Sequence, residues 1–152
     1  MQITDIHRFA AIDDMLATAG QPKEGGLAAI ASAGFETVIN LALHDDPRYA
    51  IADEPGVVQS LGMRYVHIPV QFKAPQLADL HAFFEAMEAN AGRKVFVHCA
   101  SNYRVPVFLA LYRIQRQVWS REDAFAKMRE LWQPDEIWQA FIEAALGDKA
   151  ES

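Results

Sequence analysis

The sequence has 152 residues, of which 51% are hydrophobic, a balance that is typical of a folded globular protein and excludes a disordered one. Its net charge of −6 provides no basic stripe that could neutralise phosphates, so we expect no nucleic-acid partner. No apolar run is long enough to cross a bilayer, which predicts that the protein does not associate with membranes.

The start of the chain and its cysteine content predict a cytoplasmic protein. Residues 1–5 lack the basic and then apolar regions of a signal peptide. The single cysteine cannot form an internal disulfide, which fits a reducing compartment. The five histidines and this cysteine show no metal-ligand spacing, so we expect no metal. The sequence leaves the oligomeric state open.

The predicted elements alternate between strands and helices. Short strands at 8–12 and 16–19 precede a Gly20-Gln21-Pro22 turn and a helix from Lys23 to Ala33 that Gly34 ends. Further along the chain we predict a strand at 37–41, a helix at 53–61, a strand at 65–70, a helix at 75–90, a strand at 94–97, and helices at 105–117, 121–131 and 135–146. Apolar strands between helices predict one α/β domain over residues 1–146, with a largely parallel central sheet flanked by helices. Residues 147–152 are predicted to form a frayed tail.

The most informative segment surrounds the only cysteine, from Val95 to Val105. Cys99 follows an apolar strand and precedes an amphipathic helix, so the unpaired amides at the helix start point into the loop between them. Such a cradle binds an oxyanion and favours the thiolate form of a cysteine at its mouth. Arg104 adds a planar guanidinium that matches phosphate or sulfate oxygens. The segment therefore predicts a nucleophile in an anion-binding loop.

A purely structural role for this segment is the alternative. A lone cysteine after a strand is commonly a small core residue, and Arg104 would then pair with a carboxylate such as Asp45 or Asp46. We favour the anion site because a loop tip should not bury an arginine without an anionic partner. His98 is predicted to support the loop or the thiolate through hydrogen bonds rather than act as a base. Asn102 suits the left-handed backbone that a tight loop can require.

Five segments together carry a resemblance to a known family: Gly20-Gln21-Pro22, Ile39-Asn40-Leu41, 65–70, 97–104 and 131–134. The chain resembles the cysteine-dependent tyrosine and dual-specificity phosphatases, and more closely a group of small bacterial tyrosine-phosphatase-like proteins. The resemblance implies a dual-specificity-phosphatase-like fold in which Cys99 attacks phosphorus and Arg104 binds the phosphoryl oxygens. The residues that the resemblance assigns to phosphate binding are Ala100, Ser101, Asn102, Tyr103 and Arg104. It also implies that no cofactor is required and that the partner is a phosphate- or sulfate-bearing small molecule or a phosphoprotein.

Three departures from the family pattern bear on the activity. Four residues, rather than five, separate Cys99 from Arg104. Val105 stands where the family has a serine or threonine that stabilises the departing thiolate. Residues 71–73, Gln-Phe-Lys, replace the segment that supplies an aspartate general acid, a contribution of about 10²–10⁴ in rate. Asp45 and Asp46 are the nearest substitutes, although the residues around them read more readily as a turn.

The sequence therefore favours a cysteine-dependent phosphatase that forms a thiophosphate intermediate on aryl or phosphotyrosine-like esters. Two alternatives remain open. A cysteine and an arginine separated by four residues are also typical of single-domain rhodanese-like sulfurtransferases. The second alternative is a loop that binds phosphate or sulfate without turning it over.

Overall fold

The computed structural model describes residues 1–147, and these contain a five-stranded sheet. Its strands are β1 (Ala10–Asp13), β2 (Leu16–Ala19), β3 (Thr37–Asn40), β4 (Arg64–His67) and β5 (Val95–His98). Their spatial order is β1-β2-β5-β3-β4, with β1 antiparallel to β2 and every other neighbouring pair parallel. The largely parallel sheet predicted from the sequence is therefore confirmed.

Helices cover both faces of this sheet. They are α1 (Glu24–Ser32), α2 (Glu54–Ser60), α3 (Leu77–Ala89), α4 (Arg104–Arg116), α5 (Arg121–Leu131) and α6 (Glu136–Leu146), and a short 3₁₀ turn, Ile3–Asp5, precedes β1. The predicted tail at 147–152 lies outside the described residues except for Gly147, which ends α6 with a φ of 76°. None of the helices described in residues 1–147 combines the length and apolarity needed to cross a membrane.

The period-two alternation of the strands separates two hydrophobic clusters. In β5, Val95 and Val97 pack into the cluster that includes residues of α3 to α6, whereas Phe96 packs into the cluster beneath α1 and α2. In β3, Val38 and Ile39 divide between the clusters in the same way. Because both faces of these central strands are buried, apolar residues follow one another in each, Val38-Ile39 in β3 and Val95-Phe96-Val97 in β5.

Three predicted boundaries were wrong by two or more residues, namely the start of β1, which is Ala10 rather than residue 8, the end of β4 and the start of α3. β4 ends at His67 although the apolar run predicted a strand to Val70. Pro69 has no N–H for a regular ladder, while the amides of Ile68 and Val70 still donate to Asn40 O (2.9 Å) and Leu41 O (3.1 Å). α3 begins after Gln76 rather than at Pro75. Ile68 and Val70 stay buried, so the error changes the element bounds but not the fold.

The parallel strands bring the loops that follow them to one edge of the sheet. β2, β3, β4 and β5 share one direction, so their carboxyl ends lie side by side. The cysteine loop follows β5 directly and lies between the segments that follow β2 and β3. Ligand sites in open α/β sheets lie beyond these ends, which makes this edge the place to look for the site.

Candidate active site

The cysteine loop is attached to the turn that follows β2. Gln21 N donates to Ala100 O (2.9 Å), and Gly20 and Ser101 form an isolated β-bridge. A Cβ on Gly20 would lie only 2.6 Å from Ala100 O, so this close approach requires glycine. The side chain of Cys99 is fully buried in the protein but lines the floor of the cleft above the loop.

A left-handed residue turns the loop into helix α4. Asn102 has a φ of 59°, the conformation that its residue type was expected to permit, and its Nδ2 donates to Arg8 O (3.1 Å) and Thr18 Oγ1 (3.0 Å). No side chain caps the start of α4, and its first turn contains no acid. Within residues 1–147, the amides of Ala100 and Tyr103 donate to no backbone carbonyl. The loop therefore presents free amides at the positive end of α4, an arrangement suited to an anion.

Arg104 is buried and forms no salt bridge in the described part of the chain, although its charge, after the hydrogen bonds from Arg48, also helps to lower the pKa of Asp46. Its exposed fraction is 6%, and its Nε has no hydrogen-bond partner. The structural alternative paired it with Asp45 or Asp46, but Asp46 instead binds Arg48, with Arg48 Nε 2.9 Å from Oδ1 and Nη2 2.6 Å from Oδ2. A buried guanidinium with an unpaired N–H is unfavourable unless an anion reaches it.

His98 contacts the carboxylate of Glu54 rather than the thiol. Its Nε2 lies 2.7 Å from Glu54 Oε2, its Nδ1 lies 3.2 Å from Cys99 O, and Gln21 Nε2 donates to Glu54 Oε1 (2.7 Å). Burial alone would raise the pKa of Glu54, but the attraction of His98 and the hydrogen bonds from His98, Gln21 and Tyr65 outweigh it and hold that pKa below its ordinary value. The buried carboxylate therefore ties β5, α2 and the β2–α1 turn together behind the nucleophile.

The cleft above the loop has a volume of about 690 Å³ and an aromatic wall. Phe72 and Tyr103 form this wall, with the guanidinium of Arg104 5.4 Å from the Phe72 ring centroid. Trp132 stacks on Tyr103 with a centroid distance of 5.0 Å, and Trp138 Nε1 donates to Phe72 O (2.8 Å). Phe72 thus occupies the segment where the family has its acid and helps to hold Arg104.

The other residues give the cleft a positive character that the chain as a whole lacks. Its remaining lining is His7, Gln21, Lys23, Arg48, Tyr49, Cys99, Ala100, Ser101 and Arg104. Among these described lining residues there is no aspartate or glutamate, although the whole chain carries a net charge of −6. Such local charge attracts anions to the cleft. Within residues 1–147 no cluster of three His, Cys, Asp or Glu side chains is arranged to hold a metal ion.

The carboxylates considered as substitute acids have other roles. Hydrogen bonds from the Arg48 side chain and backbone lower the pKa of Asp46 to about 2, so this carboxyl holds no proton at neutral pH. Asp46 Oδ1 also accepts from Arg48 N (3.0 Å), as expected of a turn residue. Asp135, which follows the family-like segment 131–134, caps α6 by accepting from Trp138 N (2.9 Å). Asp45 is exposed, and none of Asp45, Asp46 and Asp135 is among the residues that line the cleft.

Sequence reasoning missed several residues of this site. Glu54 was read only as part of a helix, because its partner His98 lies 44 positions away. Lys23 and Arg48 were assigned to a helix and a loop without any link to the cleft. Lys23 and Arg48 lie in the segments that follow β2 and β3. This position could have linked them to the cleft, since parallel strands bring those segments to the same edge of the sheet.

Comparisons with known proteins identify the family of this chain. A family model described as "DSP-PTPase phosphatase fused to NAD+ Kinase" (PTP-NADK) matches residues 7–142. The "Beta-lactamase hydrolase-like protein" of Xylella fastidiosa (strain 9a5c) is 30% identical over 109 residues, which are 70% of this chain and 25% of that protein. The chain thus spans about a quarter of this relative's length.

Solved structures extend the similarity over most of the chain. A DUF442 protein of Shewanella putrefaciens CN-32, described as a candidate phosphatase, is 32% identical with a TM-score of 0.84, covering 96% of this chain and 95% of that one. P. aeruginosa TpbA in complex with pTyr shares the fold at 18% identity and a TM-score of 0.66, covering 85% of this chain and 75% of that one. The chain therefore belongs to the PTP-NADK family of dual-specificity and tyrosine-phosphatase-like phosphatases, as the resemblance in its sequence predicted.

Proposed function

We propose that this protein hydrolyses phosphate monoesters with Cys99 as the nucleophile and Arg104 as the main binding group for the phosphoryl oxygens. The observation that carries the proposal is the buried guanidinium of Arg104, whose Nε has no partner and which lines the same cleft as Cys99. A dianionic phosphoryl group would satisfy that N–H and the free amides of the loop together.

The first chemical step forms a bond between Cys99 Sγ and phosphorus while the ester P–O bond breaks. The oxygen of the leaving group takes the bonding electron pair. Because the described lining contains no carboxylic acid, this oxygen departs without the carboxyl general acid that the family uses. Aryl esters, including phosphotyrosine-like ones, are therefore expected to react far faster than alkyl esters. The aromatic wall of Phe72 and Tyr103 offers an aryl group a matching surface.

The second step hydrolyses the thiophosphate enzyme. A water oxygen attacks phosphorus, the P–S bond breaks, and Cys99 leaves as a thiolate while the water's proton passes to solvent or to the phosphate. Val105 offers no hydroxyl to stabilise that thiolate, and Pro106 offers no N–H. The free amides of the loop and the positive end of α4 remain for this task. A free thiol nucleophile also supports a reducing compartment such as the cytoplasm.

Sulfur transfer is the second candidate, favoured by the four-residue spacing and the absence of acids from the described cleft lining. In this reaction Cys99 Sγ attacks the outer sulfur of thiosulfate, the S–S bond breaks, and sulfite leaves with the electron pair. Cyanide then attacks the outer sulfur of the persulfide, which releases thiocyanate and restores the thiolate. None of these steps needs a proton donor for its leaving group.

One experiment tests both candidates. The native protein and Cys99→Ser are assayed in parallel for hydrolysis of p-nitrophenyl phosphate and for cyanide-dependent thiocyanate formation from thiosulfate. We expect hydrolysis that disappears in Cys99→Ser. Thiocyanate formation without hydrolysis would replace the phosphatase proposal with sulfur transfer. Neither reaction, with phosphate bound by Cys99→Ser but not by Arg104→Ala, would leave a binding module.

A further inference from the structure

The cleft contains more cationic and hydrogen-bonding side chains than one phosphoryl group requires. The loop amides and Arg104 are sufficient to surround three phosphoryl oxygens. Yet His7, Lys23 and Arg48 line the same cleft. With about 690 Å³, the cleft also exceeds the space that one phosphate fills. These extra groups need an explanation that the hydrolytic step alone does not provide.

The extra positive charge is not evenly distributed. Arg48 is compensated by Asp46, at 2.6 Å between Arg48 Nη2 and Asp46 Oδ2, and its own side chain is 83% exposed. The ammonium of Lys23 has no hydrogen bond or ion pair with any described residue. The uncompensated charge therefore lies on the side of the cleft that follows β2.

Lys23 is held close to the anion loop by the backbone. It lies two residues after Gln21, whose amide is bonded to Ala100 O at 2.9 Å. It is also the N-cap residue of α1, whose start has no side-chain cap, so the positive end of this helix lies on the same side. His7 belongs to this group as well, because its carbonyl accepts from Gly20 N (2.8 Å) and its ring packs against Gly20.

We propose that the substrate carries a second anionic group, a phosphate or a carboxylate, that binds Lys23 and His7 while its phosphoryl group occupies the Cys99 loop. We call the pair of Lys23 and His7 the second anion subsite. This inference rests on the proposed function, since it names the class of ester that the same cleft takes. The substrate is then a bis-anionic phosphate ester rather than a monoester on a neutral scaffold.

The test compares matched inhibitors. Linear alkane α,ω-bisphosphates from propane to octane, and the monophosphates of the same lengths, compete with p-nitrophenyl phosphate hydrolysis by the full chain. For the best length we expect the bisphosphate to inhibit about tenfold more strongly than its monophosphate, the size of a charge-assisted contact. This advantage should fall to about twofold or less in Lys23→Gln and decrease with added salt.

Lys73→Gln is the matched control, because Lys73 is exposed and lies outside the cleft lining, so it should retain both the native hydrolysis and the native inhibitor ratio. An equal ratio in the native protein and Lys23→Gln, or no bisphosphate advantage at any length, would overturn the inference. If the native protein hydrolyses nothing, the proposed function fails, and direct calorimetric titration with the same inhibitor pairs still decides the subsite. A carboxylate-ended series then distinguishes a phosphate from a carboxylate as the second group.

Discussion

Replacing Glu54 by glutamine tests whether the buried pair behind the nucleophile stabilises the fold. The side chains of Glu54 and His98 are 3% and 0% exposed, with 2.7 Å between their nearest nitrogen and oxygen. Both carboxylate oxygens accept hydrogen bonds, one from His98 and one from Gln21. A glutamine can offer only one oxygen, so one donor must face an NH₂ group. An unsatisfied buried donor costs about 1–3 kcal/mol, and we expect Glu54→Gln to lower the free energy of unfolding by about 2 kcal/mol at pH 7.

The lowered pKa of Glu54 also predicts how the stability difference between the native protein and Glu54→Gln changes with pH. Because the pKa of Glu54 lies below its ordinary 4.5 in the folded state, the stabilisation is fully present above that value and is lost as the pH falls through the folded pKa. The difference between the native protein and Glu54→Gln should therefore narrow on acidification. Urea unfolding followed by tryptophan fluorescence, stepped from pH 7 downwards, measures it. Glu143→Gln, an exposed carboxylate on α6, is the matched control and should differ from the native protein by less than about 0.5 kcal/mol. Equal stability of Glu54→Gln and the native protein at pH 7, or a gap that widens in acid, would refute the reasoning.

Two further predictions concern the loop and its surroundings, and a third concerns the connection between α4 and α5. Arg104→Met should reduce kcat/KM for aryl phosphates by at least about 100-fold. Its urea midpoint should stay near the native value, because an unpartnered buried guanidinium contributes little stability. A large loss of stability would show that Arg104 acts mainly in the fold. Asp46→Asn should change kcat by less than about threefold across a pH profile, since a carboxyl with a pKa of about 2 cannot serve as the acid; loss of the profile's basic limb would identify Asp46 as the acid. Val118→Gly should raise the free energy of unfolding by about 1 kcal/mol, measured in thermal melts. Val118 has a φ of 59°, which strains a β-branched residue, and its side chain is 90% exposed between α4 and α5, so glycine loses no packing there. An unchanged or lower melting temperature would contradict this backbone strain.

The features that the sequence predicted well are those encoded by contiguous residues. The cysteine loop could be located because an apolar strand, a polar loop and a helix follow one another directly, and the order of their residues fixes which groups meet. The start of α5 at residue 121 was also predicted, and it depends on a local contact in which Ser120 Oγ accepts from Asp123 N (3.1 Å). A single local residue can still change a boundary. The apolar run predicted that β4 extends to Val70, but the strand ends at His67 because Pro69 has no N–H for the regular ladder.

The rest of the site depends on contacts between distant segments. Glu54 reaches His98 only after α2 has packed beside β4, and no periodicity encodes that contact. The placement of Lys23 and Arg48 in one cleft requires the strand order β2-β5-β3, which the sequence did not determine. Whether Arg104 pairs with a carboxylate also depends on tertiary structure, because Asp46, the partner considered for it, forms its salt bridge with Arg48.

The mass of the enzyme during turnover tests the central claim most directly. The native protein is mixed with p-nitrophenyl phosphate, quenched in acid within the first turnovers, and analysed intact and as peptides. We expect a fraction of the protein to carry one added phosphoryl group, located on Cys99, and Cys99→Ser to carry none. Steady hydrolysis with no such adduct, or an adduct located on another residue, would contradict a mechanism in which Cys99 attacks phosphorus.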